Sequence, residues 1–230
     1  MKKVCFAFLF GVPIVLCTVA TGYTSTYSNV YEGDYAFVIK AGTLGLSLEG
    51  IARLNPKVNA RLGVNAFEYD YSGTESDIKY DFDLELFSVS ALFDWHPFGN
   101  SFRTTIGLLF NQNSLDMKAK TAGSFEIGDS TYTAAQVGTL SGELEVEEAS
   151  PYVGIGWGNA LGREQKWTVY LDLGVVYQGS PKVNLASTGG SLSSDPTFQA
   201  NLVREEQNLE DDLEEFKFYP VIAFGIAYKF

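Results

Sequence analysis

The sequence predicts an all-β fold, a closed antiparallel transmembrane β-barrel that is most simply built from eight strands. The last thirteen residues, 218–230, are the first observation. Large apolar side chains occur at every second position there, with small or charged ones between them, which is the period of a β-strand with two different faces. A soluble sheet would turn the bulky face toward a core, whereas a membrane barrel turns it outward to lipid.

The N-terminus provides the second observation. Lys2 and Lys3 precede an apolar run over 4–16, and small residues follow at 18–20. This order is typical of a secretory signal peptide, and the run is shorter than the roughly 20 residues that a membrane-spanning helix needs. We predict cleavage after Ala20 and export of the mature chain.

The predicted cleavage divides the chain into a signal peptide over 1–20, an N-terminal periplasmic segment over 21–34 and a transmembrane β-barrel over 35–230. A lipoprotein signal that ends at Cys17 is the alternative, and the bulky Leu16 in front of that cysteine argues against it.

Composition narrows the class of protein. The chain has 16 basic and 28 acidic residues, and both cysteines, Cys5 and Cys17, lie in the predicted signal peptide. The acidic balance argues against nucleic acid as a partner. Without cysteines the mature chain is held together by its fold alone. Because no apolar run is long enough for a spanning helix, the mature chain can enter a membrane only as a closed barrel.

Connections of two lengths alternate along the chain, which is the third observation. The short ones are turns at 55–57, 97–101 and 162–166. The longer ones, rich in Ser, Thr, Gly and acidic residues, are 71–78, 121–142 and 186–215. Outer-membrane barrels show this asymmetry, with short periplasmic turns and longer external loops.

All three tryptophans of the chain lie beside short turns. Trp95 precedes one turn, and Trp157 and Trp167 flank another. Together with Phe102 they predict an aromatic belt at the periplasmic interface. The alternative is a secreted β-sandwich with a tryptophan core, but such a core would not collect all three residues at one end.

Counting back from Phe230, the alternation predicts six strands: 216–230, 167–186, 143–158, 102–120, 78–96 and 58–71. Single-chain bacterial barrels have an even number of strands and both termini in the periplasm. The segment 35–54 must therefore supply two more, which we place at 35–41 and 45–54 around Gly42. One long strand over 35–54 is the alternative.

The phase of the alternation reverses once, upstream of Phe87. Outward apolar side chains recur over 87–96, but over 80–86 the apolar residues occupy the other set of alternate positions. A β-bulge near Leu86 and Phe87 explains the reversal, and so does an end to membrane contact at that level.

The loop over 186–215 contains a clear helical pattern. Asp195 is predicted as the N-cap, and Pro196 follows at the first helical position. Apolar residues then recur at helical spacing among many acidic ones, which predicts a short acidic amphipathic helix over about 197–215 in the last external loop. A folded loop that covers the barrel mouth is one interpretation, and a docking surface or gate is the other.

Charged residues at inward positions predict a polar network in the barrel lumen. They are Lys40, Glu49, Arg53, Arg61, Asp94, Arg103, Asp172 and Lys229. An eight-stranded barrel has room only for its own side chains or one small ligand, and an unpaired buried charge costs several kcal/mol. We therefore expect salt bridges that fill the lumen, and a polar conduit for small solutes is the alternative. Inward glycines such as Gly154 and Gly174 either leave free space or let neighbouring side chains lie flat.

The sequence offers little for catalysis or metal binding. His96 is the only histidine, and we predict that it lies at a periplasmic turn beside Asp94. The chain has no cysteine–histidine ligand set, no Gly-rich phosphate loop and no Gly-x-Ser-x-Gly nucleophile elbow. We expect no catalytic residue, no metal site, no cofactor and no enzymatic activity.

The last strand resembles the C-terminal insertion signal of bacterial outer-membrane barrels, because Phe224, Ile226 and Tyr228 precede Phe230 at alternate positions. With the signal peptide and the loop asymmetry, the mature chain resembles small outer-membrane barrel proteins of the OmpA-barrel, OmpW and opacity-protein kind. The resemblance implies an integral protein of the Gram-negative outer membrane. Because the sequence stops at Phe230, no peptidoglycan-binding domain is expected after the barrel.

The resemblance also implies partners and roles. The expected partners are outer-membrane lipid and lipopolysaccharide and, during biogenesis, the barrel-assembly machinery and periplasmic chaperones. The protein is expected to be a monomer. The main hypothesis is a non-enzymatic barrel with a structural or surface-interaction role through its external loops. The alternative is a narrow pore for small solutes or apolar molecules. A third hypothesis is a lipid hydrolase or transferase, which the predicted periplasmic position of His96 argues against.

Overall fold

The computed structural model describes residues 35–75, 78–121, 123–162 and 164–230. The predicted signal peptide and N-terminal periplasmic segment lie outside these residues. The strands in chain order are β1 (Tyr35–Gly42), β2 (Gly45–Asn55), β3 (Val58–Glu75), β4 (Ile78–Trp95), β5 (Phe102–Asn111), β6 (Ser114–Thr121), β7 (Ser124–Ile127), β8 (Ser130–Thr133), β9 (Gly138–Glu145), β10 (Ala149–Trp157), β11 (Trp167–Tyr177), β12 (Lys182–Gly189) and β13 (Phe218–Lys229). The helices are α1 (Ala134–Val137) and α2 (Pro196–Asp212), and a 3₁₀ turn follows at Glu214–Lys217.

Eight of these strands close into an antiparallel barrel, in the order β1-β2-β3-β4-β5-β10-β11-β13 and back to β1. This confirms the predicted fold class. The segment 35–54 supplies two strands, as predicted, and Gly42 lies opposite Gly45 where their hairpin closes. Tyr35 and Phe230 lie at the same end of the barrel, which we call the terminal end. The opposite end is the loop end.

The outer wall of the barrel is apolar. On β13, Phe224 and Ile226 are more than half exposed, whereas Ala223 and Ala227 on the other face are buried. The same alternation appears on β1, where Ile39 is exposed and the residues on either side of it are buried. Large exposed apolar side chains around a closed barrel are the surface that a bilayer requires.

Beyond the loop end the wall continues on one side only. The outer parts of β3 and β4 pair onward with β6, β9 and β12, in the order β3-β4-β6-β9-β12. We call this extension the outer sheet; its strands are 67–75, 78–86, 114–121, 138–145 and 182–189. β4 changes partner where β5 ends, since Ser88 pairs with Asn111 of β5 but Glu85 pairs with Ser114 of β6.

The reversed phase near Phe87 coincides with the end of the apolar wall. β3 and β4 keep one register along their whole length, so the expectation of a bulge between them is wrong. Glu85 lies on the same face as Phe87, because the two residues are separated by one position. This face therefore turns from apolar to acidic where the barrel gives way to the outer sheet, which agrees with the other interpretation, an end to membrane contact.

Helix α2 folds onto the outer sheet, and it confirms the predicted amphipathic helix. The Asp195 side chain caps it by accepting hydrogen bonds from the backbone N–H groups of Thr197 and Phe198. The buried Phe198 and Leu202 pack with the β7–β8 hairpin and α1 in a small apolar core. No helix in the described ranges is long and apolar enough to cross a membrane.

Candidate functional site: the closed lumen

Six charged side chains meet in the lumen, and we call them the charge cluster. They are Lys40, Glu49, Arg61, Asp94, Arg103 and Asp172. Each comes from a different strand, namely β1 to β5 and β11. Lys40 is 6% exposed and the other five are at most 2% exposed. The period-two alternation of each strand is what turns these side chains inward.

Asp172 contacts all three cations of the cluster. Its carboxylate lies 2.8 Å from Lys40 Nζ, 3.2 Å from Arg61 Nη1 and 2.5 Å from Arg103 Nη2. Glu49 contacts two of these cations, because its carboxylate lies 2.5 Å from Lys40 Nζ and 3.0 Å from Arg61 Nη1. The two carboxylates thus hold the three cations on one side of the cluster.

Asp94 holds the two arginines together on the other side. Its carboxylate lies 2.8 Å from Arg61 Nε and 3.6 Å from Arg103 Nε. Every cation of the cluster therefore faces at least two carboxylates, and every carboxylate faces at least two cations. Loss of one member of such a buried group typically costs about 3–5 kcal/mol, because it leaves a charge without compensation. The balanced cluster fills the lumen at its level.

Glycines on the lumen face make room for long side chains. A Cβ at Gly63 would meet Cγ of Glu49. A Cβ at Gly154 or Gly174 would lie 2.9 or 2.6 Å from Cζ of Tyr152. Of the two interpretations of these glycines, the structure shows the second: neighbouring side chains lie flat across them, and the space is filled.

An apolar layer closes the lumen on the terminal side of the charge cluster. The connection between β10 and β11 folds inward here, and Ala160 and Leu161 are at most 2% exposed. They pack against side chains of the wall: Ala36, Val38, Ile51, Tyr170 and Ala227. The Ala160 N–H also donates a hydrogen bond to the Tyr170 hydroxyl at 3.2 Å. We call this group the terminal layer.

The terminal layer was not predicted from the sequence, in which 162–166 is expected to be an ordinary short turn. The signal available in the sequence is the apolar pair Ala160-Leu161 within a connection that is otherwise polar or glycine. Such a pair is equally typical of an exposed turn. The period-two alternation that separates inward from outward side chains applies only within strands, so it does not assign a direction to residues of a connection.

A second apolar layer lies on the loop side of the charge cluster, and we call it the mouth layer. It consists of Leu92, Leu109, Tyr152, Val176 and Val221, with Leu44 and Tyr219 packed against it. A cavity of about 20 Å³ borders both this layer and the charge cluster, which is room for about one water molecule. No α2 residue belongs to the mouth layer among the residues that the structure describes. That the loop over 186–215 covers the barrel mouth stays a prediction.

Two residues of the predicted polar network lie nearer the terminal end. Arg53 is half-buried and donates a hydrogen bond from Nη2 to the Leu161 carbonyl of the terminal layer. Lys229 is also half-buried, and it lies opposite Ala36 in the β1–β13 register. The structure thus brings six of the eight predicted residues into the charge cluster and places the other two toward the rim.

The predicted belt residues lie on the outer wall at the terminal end. Trp95, Trp157 and Trp167 are exposed, and Phe102 packs edge-on against Trp157 with 5.7 Å between ring centroids. Tyr228 packs against Trp167 at 4.8 Å. The predicted insertion-signal residues Phe224, Ile226, Tyr228 and Phe230 follow one another along β13 and past its end.

His96 lies at the terminal end in the connection that follows β4, and it is 1% exposed. Its Nδ1 lies 3.2 Å from the carbonyl oxygens of both Asn100 and Phe102, so Nδ1 carries the proton. Nε2 then accepts a hydrogen bond from the Asn59 amide at 3.3 Å. Burial lowers the pKa of His96 below its ordinary value of 6.5, although the nearby Asp94 acts in the opposite direction.

Within the described ranges no group of three or more His, Cys, Asp or Glu residues is placed to hold a metal ion.

Comparison with solved structures shows which fold the chain has. No family model and no curated protein matches the chain. CarO and CarO2 of Acinetobacter baumannii match it in structure with TM-scores of 0.56 and 0.57, at 21% and 22% identity. These matches cover 88% and 86% of this chain and 100% of each of those chains. A major outer membrane protein from Thermus thermophilus matches with a TM-score of 0.41 at 14% identity, over 85% of this chain and 99% of that one. The first two matches show a shared fold, which in this chain is the closed eight-stranded barrel.

Proposed function

We propose that this protein is an integral, non-enzymatic barrel of the bacterial outer membrane, with a closed lumen and a structural or surface-interaction role carried by the outer sheet and α2. The observation that carries the proposal is the charge cluster, whose members are buried and paired across six strands. A barrel closed in this way offers other molecules its outer wall and its ends.

The outer wall supports membrane insertion. Leu62, Ile106 and Val169 are 66%, 62% and 71% exposed to the surroundings of the barrel. Exposed side chains of this kind on every strand of the barrel favour acyl chains over water as their environment. The proposed partners are therefore outer-membrane lipid and, at the loop end, lipopolysaccharide. We propose that the barrel-assembly machinery and periplasmic chaperones are its partners during biogenesis. In the membrane we propose that the protein is a monomer.

A narrow pore is the competing function, and the three layers of side chains that fill the lumen argue against it. A solute would have to pass the mouth layer, then separate three cations from three carboxylates, and then displace Ala160 and Leu161 from the terminal layer. Separating buried ion pairs alone costs several kcal/mol. The proposed lack of enzymatic activity is supported by His96, whose ring nitrogens are both engaged at the terminal end.

Conductance across a planar bilayer tests the closed lumen. We expect the refolded full-length protein to show no stepwise openings, with a water-filled porin as the positive control. The variant Glu49→Gln with Arg61→Met removes one charge of each sign, and we expect it to stay silent because both apolar layers remain. Leu62→Ala lies on the outer wall and is the control for effects of a substitution outside the lumen.

Each outcome of the conductance measurement is decisive. Openings by the unmodified protein would contradict the closed lumen, and openings by the Glu49 and Arg61 variant alone would show a gated pore. Faster migration of unboiled protein on a gel establishes that each sample is folded. A lipid-modifying activity on purified outer-membrane lipid, measured by mass spectrometry, would contradict the non-enzymatic role.

A further inference from the structure

On one edge of the outer sheet the described residues supply no neighbouring strand. β2 pairs with β3 only as far as Leu46, which lies opposite Ala66. β3 nevertheless continues to Glu75, paired on its other side with β4. From Phe67 outward, β3 has no strand or hydrogen-bonding side chain on its β2 side among the described residues. We call residues 67–73 the open edge.

The opposite edge of the same sheet is closed by α2. The carboxylate of Glu206 accepts a hydrogen bond from the backbone N–H of Leu185 at 2.7 Å, and that of Glu210 accepts one from Val183 at 3.1 Å. Both donors belong to β12, so side chains of the helix occupy positions that a further strand would use. Covered edges of this kind prevent uncontrolled pairing between sheets. The open edge lacks this protection.

The side chains of the open edge differ sharply between its two faces. Phe67, Tyr69 and Tyr71 are 42%, 54% and 50% exposed and share one face. Glu68 and Asp70 share the other face and are also exposed. On that face the neighbouring strand β4 adds more acidic residues, since Glu85 lies opposite Glu68 and Asp83 lies opposite Asp70.

We propose that the open edge binds an extended peptide segment in which basic residues alternate with apolar ones. The main chain of such a segment pairs with the free N–H and C=O groups of β3, as in other cases of strand addition. Its basic side chains then lie opposite Glu68 and Asp70, and its apolar side chains lie opposite the three aromatic residues. The inference rests on the proposed surface-interaction role and names the kind of partner.

A second copy of the chain fits the open edge less well. Two copies in one membrane both direct β3 from the terminal end to the loop end, so their open edges would meet in parallel. A two-fold axis along the membrane normal would then place the acidic face of one copy beside the aromatic face of the other. Both copies would carry the same acidic residues at this edge, so they would repel each other there. A basic segment supplies the missing charge.

Peptide binding to the refolded full-length protein in zwitterionic detergent tests the inference. The probe is a fluorescent peptide of about seven residues, a common strand length, with alternating Lys and Val. A peptide of the same composition in two blocks and an alternating Glu–Val peptide are the controls. We expect binding of the alternating Lys–Val peptide alone, and slower amide hydrogen exchange within residues 67–73 when it is bound.

Charge reversal at the open edge provides the decisive variant. Glu68→Lys with Asp70→Lys is expected to weaken binding of the Lys–Val peptide by at least about tenfold and to confer binding of the Glu–Val peptide. Asp211→Lys with Asp212→Lys makes the same change in net charge on the exposed end of α2, and we expect it to leave binding nearly unchanged. Migration of unboiled protein on a gel confirms that both variants fold.

Three results would overturn the inference: no binding of the alternating peptide, equal binding of the two Lys–Val peptides, or equal effects of the two charge reversals. A dimer of the peptide-free protein that Glu68→Lys with Asp70→Lys disrupts would overturn the choice of partner. None of these results changes the conductance of the barrel, so failure of the inference and failure of the closed lumen are separate findings.

Discussion

Single residues on the lumen face decide whether the charge cluster can form. Gly63 of β3 lies beside Glu49, and a Cβ at this position would meet Cγ of Glu49 and lie 3.0 Å from Ser90 Oγ. Gly50 of β2 is on the outer wall, where the nearest atom to an added Cβ is the Leu62 carbonyl oxygen at 3.9 Å. Both glycines lie within barrel strands, but only Gly63 is crowded by neighbouring side chains. Gly50 is therefore a matched control for a substitution at Gly63.

Gly63→Ala is expected to lower the free energy of unfolding by about 1–3 kcal/mol, because the added methyl group displaces Glu49 from Lys40 and Arg61. Gly50→Ala is expected to leave the free energy unchanged or to raise it slightly, since alanine restricts the unfolded chain. Urea unfolding in detergent, followed by tryptophan fluorescence, measures both. Equal losses for the two variants would refute the packing argument.

His96 is expected to make stability depend on pH. Burial lowers its pKa in the folded state, so below about pH 6.5 the unfolded chain takes up the proton more readily than the folded one. The free energy of unfolding should therefore fall as the pH drops from 7 to 5. His96 is the only histidine of the chain, and His96→Gln should flatten this part of the profile. An unchanged slope in the variant would assign the pH dependence to other groups.

Among the elements, the outer sheet carries a row of like charges. Asp70, Asp83, Asp116 and Glu143 lie opposite one another on β3, β4, β6 and β9. Carboxylates directly opposite each other destabilise a sheet. Asp81 of β4 differs, because its partner on β6 is Lys118. The row is compatible with a folded sheet because the apolar core under α2 lies on its other face.

Asp83→Asn is expected to stabilise the outer sheet by about 0.5 kcal/mol, because it removes repulsion from both neighbouring strands. Asp81→Asn is expected to have no effect or a small destabilising one, since it removes an attraction to Lys118. Amide exchange of β4 at low ionic strength measures both, and the difference should shrink in 1 M salt. A stabilisation of equal size in both variants would show that net charge, rather than register, is responsible.

On the scale of the whole molecule, the barrel combines a closed interior with an asymmetric outer end. The terminal layer, the charge cluster and the mouth layer follow one another along the lumen. The outer sheet then extends only the β3–β4 side of the wall, and α2 covers one of its two edges. The features available to a partner at the loop end are thus the open edge, the acidic face of the outer sheet and α2.

Much of this architecture was predictable from local patterns. Five of the eight barrel strands, β1 to β4 and β13, lie close to their predicted positions, and α2 begins at the predicted Pro196. These features follow from the alternation of side chains and from helix capping, which depend on neighbouring residues alone. The predicted strands 102–120, 143–158 and 167–186 are wrong in extent, because each spans a barrel strand and part of a strand of the outer sheet. They run over β5 and β6, β9 and β10, and β11 and β12. These breaks were not predictable from local patterns, since the break at 112–113 depends on which strand β4 pairs with.

The sequence by itself determined which residues face inward and which face lipid, because a side chain's face depends only on its position along its own strand. Only the tertiary structure decided which of the inward charges meet. Lys40 and Asp172 are 132 residues apart, and closure of the barrel brings them within 2.8 Å. Closure likewise decided that Ala160 and Leu161 enter the lumen and that β2 stops pairing with β3 at Leu46. Strand register and stagger around a barrel are collective properties of all eight strands, and no local pattern contains them.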